Sequence, residues 1–96
     1  MIEPLDVNRD TFNYIQECLK IVDTHAFRVS KPSGVPFYEN IPLDSIDSSK
    51  CDRHNVEDYT KFKELMNYFY NKSPNAIYVI TWSESENSLL DMKIIE

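Results

Sequence analysis

Cys51 and His54 are the residues whose types and spacing come closest to a metal-binding or nucleophilic site in this chain. A Cys-x-x-His pair offers two zinc ligands, but a zinc site needs about four, usually from two such pairs. The remaining cysteine and histidine, Cys18 and His25, are seven residues apart and form no second pair. A thiol nucleophile would also need an orienting third group and an oxyanion hole, which the adjacency of Asp52 does not supply. We therefore expect no metal, no cofactor and no catalytic residue.

The glycine and serine patterns also argue against an enzyme. Gly34 is the only glycine, whereas loops that cradle phosphate need several glycines to let the backbone approach the ligand. This excludes Walker-type and dinucleotide-binding folds. The run Ser-Glu-Ser-Glu at 83–86 is typical of a solvated connection. A small Cys/His enzyme stays a third possibility, and loss of an activity in a Cys51→Ala variant would reveal it.

Acidic residues dominate the charge of the chain. Sixteen Asp and Glu against ten Lys and Arg give a net charge of −6, which repels nucleic acid and anionic membranes. Direct binding of nucleic acid needs a basic face, and the basic residues here do not cluster. Acids of this kind suit a partner that normally binds a polyanion, although they are also typical of a solvated surface. The candidate partner-binding acids are Asp10, Glu17, Glu39, Asp44, Asp47, Asp52, Glu57, Glu64, Glu84 and Glu86.

The spacing of some of these acids along a helix can be compared with the spacing of phosphates along DNA. Asp10 and Glu17 are seven residues apart with Tyr14 between them, and Glu57 and Glu64 repeat that spacing. On a helix, seven residues span about 10.5 Å. Each DNA strand carries a charge about every 3.4 Å along the axis, so one helix can imitate only a sparse subset of phosphates.

The first element that positions these acids is a helix that begins near Asn8–Asp10 and fades at Asp23–Thr24. Its apolar stripe recurs at helical spacing and consists of Phe12, Ile15, Leu19 and Val22. A second side carries Tyr14, Cys18 and Ile21. A helix that is apolar on two sides must cover both. These three residues are expected to meet either another element of the same chain or a second copy of it, and they are candidates for a homodimer contact or a partner anchor.

The rest of the chain predicts one domain over residues 1–96. Residues 25–30 alternate as a strand, residues 31–54 are irregular, and Asn55 is the expected N-cap of a second helix with Tyr59, Phe62, Met66 and Phe69 on its apolar face. Residues 76–82 and 89–95 are expected to pair as a hairpin. The order α-β-loop-α-β-β predicts a two-layer α+β domain, with two helices packed on a small three-stranded, largely antiparallel sheet.

Targeting signals are not evident. The opening residues Met-Ile-Glu-Pro-Leu-Asp have neither the positive nor the apolar region of a signal peptide, and no apolar run approaches the ~20 residues of a membrane span. Two cysteines are too few for a disulfide scaffold. We expect a cytoplasmic protein with reduced thiols.

The chain resembles the Arn family of anti-restriction proteins from T-even bacteriophages. The resemblance lies in its size, its acidity, its aromatic second helix, its closing hairpin and its opening sequence, Met-Ile-Glu-Pro-Leu-Asp-Val-Asn-Arg-Asp-Thr-Phe-Asn-Tyr-Ile-Gln-Glu. It implies a dimeric DNA mimic that inhibits a McrBC-type endonuclease, an enzyme that cuts modified-cytosine DNA, and so protects phage DNA in the host cytoplasm. It transfers no individual binding residue.

A second interpretation belongs to a different class. The chain would be an acidic adaptor that binds a host transcription or toxin protein through an apolar helix face, with charge serving solubility. For either interpretation, aromatic anchors would hold the complex, and Tyr14, Tyr38 and Tyr68 are the candidates. Charge reversal at Asp44, Asp47 and Asp52 should abolish DNA mimicry and spare an adaptor.

Overall fold

The computed structural model describes residues 7–30, 37–46, 51–83 and 89–96. The helices are α1 (Arg9–Ile21) and α2 (Tyr59–Lys72), and a short 3-10 helix covers Leu43–Ser45. The strands, in chain order, are β1 (Thr24–Ser30), β2 (Phe37–Asn40), β3 (Asp52–Val56), β4 (Ile77–Trp82) and β5 (Leu90–Ile95). They form one sheet in the spatial order β2-β1-β4-β5-β3, and every neighbouring pair is antiparallel.

The predicted three-stranded sheet is wrong, because the sheet has five strands. The three predicted strands are its centre, and β2 and β3 add one strand to each edge. Both edge strands are short and mostly exposed. Edge strands of this kind lack the regular apolar alternation that identifies a strand in a sequence. The predicted hairpin of β4 and β5 is confirmed by their antiparallel register.

Helix α1 begins where the sequence predicts it. The Asn8 side chain caps it by accepting a hydrogen bond from the Thr11 backbone N–H at 2.8 Å, which satisfies one of the unpaired donors of the first turn. Its buried residues are Phe12, Ile15 and Leu19. The helix ends at Ile21, and Val22 already has extended backbone.

Helix α2 begins later than predicted. Asn55 is not its N-cap but lies in β3, opposite Asp91 of β5. Asp58 is the cap, and its carboxylate accepts from the Lys61 backbone N–H at 3.0 Å. Asn and Asp cap helices about equally well, so composition alone did not choose between the two positions. Tyr59 is the first helical residue.

The core lies between the two helices and one face of the sheet. The central strands contribute buried side chains at alternate positions: Phe27, Val29, Tyr78, Ile80, Leu90, Met92 and Ile94. The helices meet over them through Phe12 and Phe62, whose ring centroids are 5.1 Å apart. The opposite face of the sheet carries two ion pairs, Arg28–Glu39 and Arg53–Asp91. The sheet is therefore the layer on which both helices pack.

Candidate partner-binding site

Strand register brings acids from distant parts of the sequence to one end of the sheet. Thr24 pairs with Thr81, and Leu90 pairs with both Trp82 and Val56. The start of β1 and the end of β3 therefore lie at the same end. Asp23 immediately precedes β1 there, and Glu57 and Asp58 immediately follow β3.

The 3-10 helix brings a fourth acid to this end. β2 runs antiparallel to β1, and the Ile41 backbone N–H continues that pairing by donating to the Ala26 carbonyl. The chain is then heading towards Thr24 when it enters the 3-10 helix that contains Asp44. We call these four residues, Asp23, Asp44, Glu57 and Asp58, the acidic end.

The acidic end spans the width of the sheet. Neighbouring strands lie about 4.8 Å apart. Three strand spacings separate β1 from β3, which puts Asp23 about 14 Å from Glu57 and Asp58 by strand spacing. The major groove of DNA, with a row of phosphates on each side, is about 12 Å wide. The two sides of the acidic end are thus separated on the scale of two facing phosphate rows.

The acids of the acidic end form no ion pair within the described part of the chain, although Arg53 and Lys93 line the same pocket as Asp23. All four residues are exposed, and none forms an ion pair with a described lysine or arginine. Other acids are paired, because Glu17 contacts Lys20 at 2.9 Å and Glu39 contacts Arg28 at 2.8 Å. Glu96 lies 3.5 Å from Lys72. Unpaired, exposed carboxylates keep their charge available for a partner.

The ten predicted acids do not form one patch. Asp44 and Glu57 belong to the acidic end, whereas Asp52 lies at the opposite end of β3, and Asp47, Glu84 and Glu86 lie outside the described residues. Asp10, Glu17 and Glu64 are exposed on the two helices, and Glu39 is on β2. Sequence reasoning missed Asp23 and Asp58. Their signal was position: each stands directly before an element, one at the start of a strand and one as a helix cap.

The predicted second side of α1 is open to solvent. Tyr14 is 61% exposed and Ile21 is 88% exposed, while Cys18 between them is half-buried. A hydrogen bond with Cys18 raises the pKa of the Tyr14 phenol above its ordinary value. Tyr68 is exposed on α2, whereas Tyr38 is half-buried. A homodimer through the α1 residues stays a prediction.

The Cys51–His54 pair does not gain further ligands from the fold. Within residues 7–30, 37–46, 51–83 and 89–96, no group of three or more His, Cys, Asp or Glu side chains could hold a metal ion. The His54 ring instead packs against Phe69 of α2, with ring centroids 5.5 Å apart. Its place is in the packing between α2 and the edge strand β3.

Comparison with known proteins gives no match. No protein-family model, no curated protein sequence and no solved structure is similar to the chain. The described helices include none that is long and apolar enough to cross a membrane.

Proposed function

We propose that this protein is an acidic DNA mimic that covers the basic, DNA-binding face of another protein. The observation that carries the proposal is the acidic end, in which four exposed carboxylates, none in an ion pair with a described lysine or arginine, span one end of a five-stranded sheet. A sheet is a rigid support, so the carboxylates on either side keep their separation when a partner binds. Preorganised charges lose little entropy on binding.

The mechanism is competition for the same cationic side chains. A nuclease that grips duplex DNA presents Lys and Arg spaced for phosphates. Carboxylates at a similar spacing would pair with those side chains and exclude DNA. Complementary charge speeds the encounter and selects the partner, while exposed aromatic residues such as Tyr14 and Tyr68 would supply the apolar contact that holds the complex.

The partner proposed from the resemblance is a McrBC-type endonuclease that cuts modified-cytosine DNA. Inhibition of such an enzyme would protect phage DNA, and it would take place in the cytoplasm of the host cell. The protein itself would not be an enzyme and would use no cofactor. A homodimer would double the net charge of −6 and present two acidic ends to the partner.

The proposal is tested by direct binding of the protein to the purified endonuclease at two salt concentrations. DNA is left out, because salt also weakens the nuclease–DNA complex and would confuse an inhibition assay. Binding driven by charge should weaken about tenfold or more between 50 and 200 mM salt, because exposed pairs are screened over that range. Binding that is independent of salt would contradict the proposal.

The adaptor interpretation is the second candidate, and the exposed side of α1 favours it. Ile21 is 88% exposed, and exposed apolar residues are common at protein-binding surfaces. The variant Ile21→Ser separates the two functions, because it leaves the aromatic anchors of the DNA mimic in place. An adaptor should lose its partner, whereas a DNA mimic should keep most of its salt-dependent affinity for the nuclease.

A further inference from the structure

A pocket of about 320 Å³ opens between α1 and the β1–β2 side of the sheet. This volume is at the lower end of the range for sites that hold small ligands or single side chains. We call it the α1–β1 pocket. The lining residues that matter for its chemistry are Asp10, Tyr14, His25, Phe27, Tyr38 and Asn40.

Aromatic rings form a fixed wall of the α1–β1 pocket. The Phe27 ring lies 5.7 Å from His25 and 5.8 Å from Tyr38, measured between ring centroids. Phe27 is fully buried and stacks on Tyr78 at 5.5 Å, so the core holds this wall in place. A ligand would meet the half-buried rings of His25 and Tyr38, which pack on this buried ring.

The electrostatics of the pocket favour a cation. Asp10 is the lining residue with a full charge, and no lysine or arginine of the described residues lines the pocket. Burial lowers the pKa of His25, so its imidazole is neutral at pH 7. His25 also forms no hydrogen bond with another described residue, which leaves a ring nitrogen available as an acceptor. Asn40 offers an amide oxygen beside it.

An anion is a poor match for the same pocket. The N-terminus of α1 is nearby, but the Asn8 side chain already accepts from Thr11 at 2.8 Å. Asp10 lies in the first turn of the helix and would repel a phosphate or carboxylate. The pocket thus differs from anion sites that use the free N–H groups of a helix start.

Elsewhere on its surface the chain already pairs cations with aromatic rings. The Arg9 guanidinium lies 5.7 Å from the centre of the Tyr59 ring, and the Lys72 ammonium lies 5.9 Å from the Tyr68 ring. Both are within the ~6 Å range of a cation–π contact. A planar guanidinium can stack on a ring and donate to a carboxylate together, which an ammonium does less well.

We infer that the α1–β1 pocket receives an arginine side chain of the partner protein. The guanidinium would stack against the tyrosine rings and donate to the Asp10 carboxylate. The inference rests on the proposed function, because an arginine-rich DNA-binding face is the surface that the acidic end would cover. His25 follows Asp23 by two residues, so the pocket adjoins the acidic end, and one partner surface could reach both.

The test uses N-acetyl-arginine amide as the probe and follows the side-chain NMR signals of Tyr14, His25 and Tyr38. Saturable shifts of these signals are expected. N-acetyl-citrulline amide has the same shape without the charge and should bind at least about tenfold more weakly, because a charge-assisted hydrogen bond is lost.

Two variants on α1 make the test specific. Asp10 and Glu17 are both exposed, so neutralising either one leaves the fold intact. Asp10→Asn should weaken binding of the arginine probe about tenfold, whereas Glu17→Gln should leave it unchanged. Equal binding of the citrulline probe, an unchanged Asp10→Asn variant, or shifts confined to residues outside the pocket would overturn the inference.

This outcome can be separated from that of the proposed function. The probe titration contains no partner protein. If the probe does not bind while the nuclease binds in a salt-dependent way, the pocket inference fails and DNA mimicry stands. If the probe binds at Asp10 and the nuclease does not bind at all, the arginine pocket stands and the proposed function fails.

Discussion

Replacing Tyr78 by phenylalanine is expected to stabilise the protein by about 1 kcal/mol. Tyr78 is 1% exposed, and its hydroxyl has no hydrogen-bond partner within the described residues. Burial raises the pKa of this phenol far above its ordinary value, because the charged form is strongly disfavoured there. The hydroxyl has left water without gaining a partner among the described residues, and the substitution removes that group alone.

The magnitude follows from the surroundings of the ring. An unsatisfied buried polar group costs about 1–3 kcal/mol. Phenylalanine keeps the stacking on Phe27 at 5.5 Å and nearly the same volume, so no large cavity opposes the gain. For a domain of this size, about 1 kcal/mol corresponds to a rise in Tm of roughly 4–8 °C. The substitution should also reduce the loss of stability above pH 10, where the unfolded Tyr78 ionises and the folded one does not.

The assay is urea unfolding of both proteins at pH 7, followed by circular dichroism, with thermal unfolding as a second measurement. Tyr68→Phe is the matched control, because Tyr68 is 60% exposed, and it should change stability by less than about 0.5 kcal/mol. Destabilisation by Tyr78→Phe of more than about 1 kcal/mol would refute the reasoning, since it would mean that the hydroxyl forms a bond.

Three further predictions follow from single contacts. Stability should fall as the pH drops below 6.5, because burial lowers the pKa of His25 and the unfolded chain takes up the proton first. Urea unfolding at pH 7.5 and 5.5 measures this loss, and the difference in unfolding free energy between the two pH values should be smaller for His25→Gln than for the original protein. Trp82→Phe should lower the free energy of unfolding by about 1 kcal/mol or slightly more in the same assay. The Trp82 indole N–H donates to the Leu19 carbonyl at 3.2 Å and so links β4 to α1. An unchanged free energy of unfolding would show that this bond is dispensable. Lys61→Gln should strengthen binding to a DNA-binding partner a few-fold. The exposed Lys61 lies one turn after Asp58, and its positive charge weakens the negative electrostatic field of the acidic end. Weaker binding of the variant would contradict the role of that field.

The parts of the fold that the sequence predicts are those governed by local pattern. Asn8 and the stripe of Phe12, Ile15 and Leu19 identify α1, because the cap and the apolar period agree. The hairpin of β4 and β5 follows from dense β-branched and aromatic residues. The outer strands β2 and β3 were not predicted from the sequence. Each pairs with one neighbouring strand only, and its exposed positions tolerate polar residues, so it lacks an apolar alternation.

The candidate site is harder to predict because tertiary structure assembles it. Asp23 and Asp58 are 35 residues apart in the sequence, and strand register alone brings them to one end of the sheet. Spacing along a helix grouped Asp10 with Glu17, but Glu17 is paired with Lys20. Local periodicity reports which side of an element a residue is on. It does not report which ends of different elements meet.

DNA mimicry, as proposed for this protein, requires that charge placed at the acidic end, and not net charge as such, excludes DNA from the partner. One measurement tests it most directly: the concentration of protein that half-inhibits DNA cleavage by a McrBC-type endonuclease, compared for two variants of equal charge. The first neutralises the acidic end by Asp23→Asn, Asp44→Asn, Glu57→Gln and Asp58→Asn, and asparagine at 58 keeps the helix cap. The second neutralises four acids elsewhere by Glu17→Gln, Glu39→Gln, Glu64→Gln and Glu96→Gln.

Both variants remove four negative charges from −6 and so carry −2. Each exposed charge pair contributes about 0.2–1 kcal/mol, and the first variant loses four of them. We therefore expect its half-inhibiting concentration to rise roughly tenfold or more. The half-inhibiting concentration of the second variant should stay within about threefold of that of the original protein. Equal losses in the two variants, or a larger loss in the second, would contradict the claim.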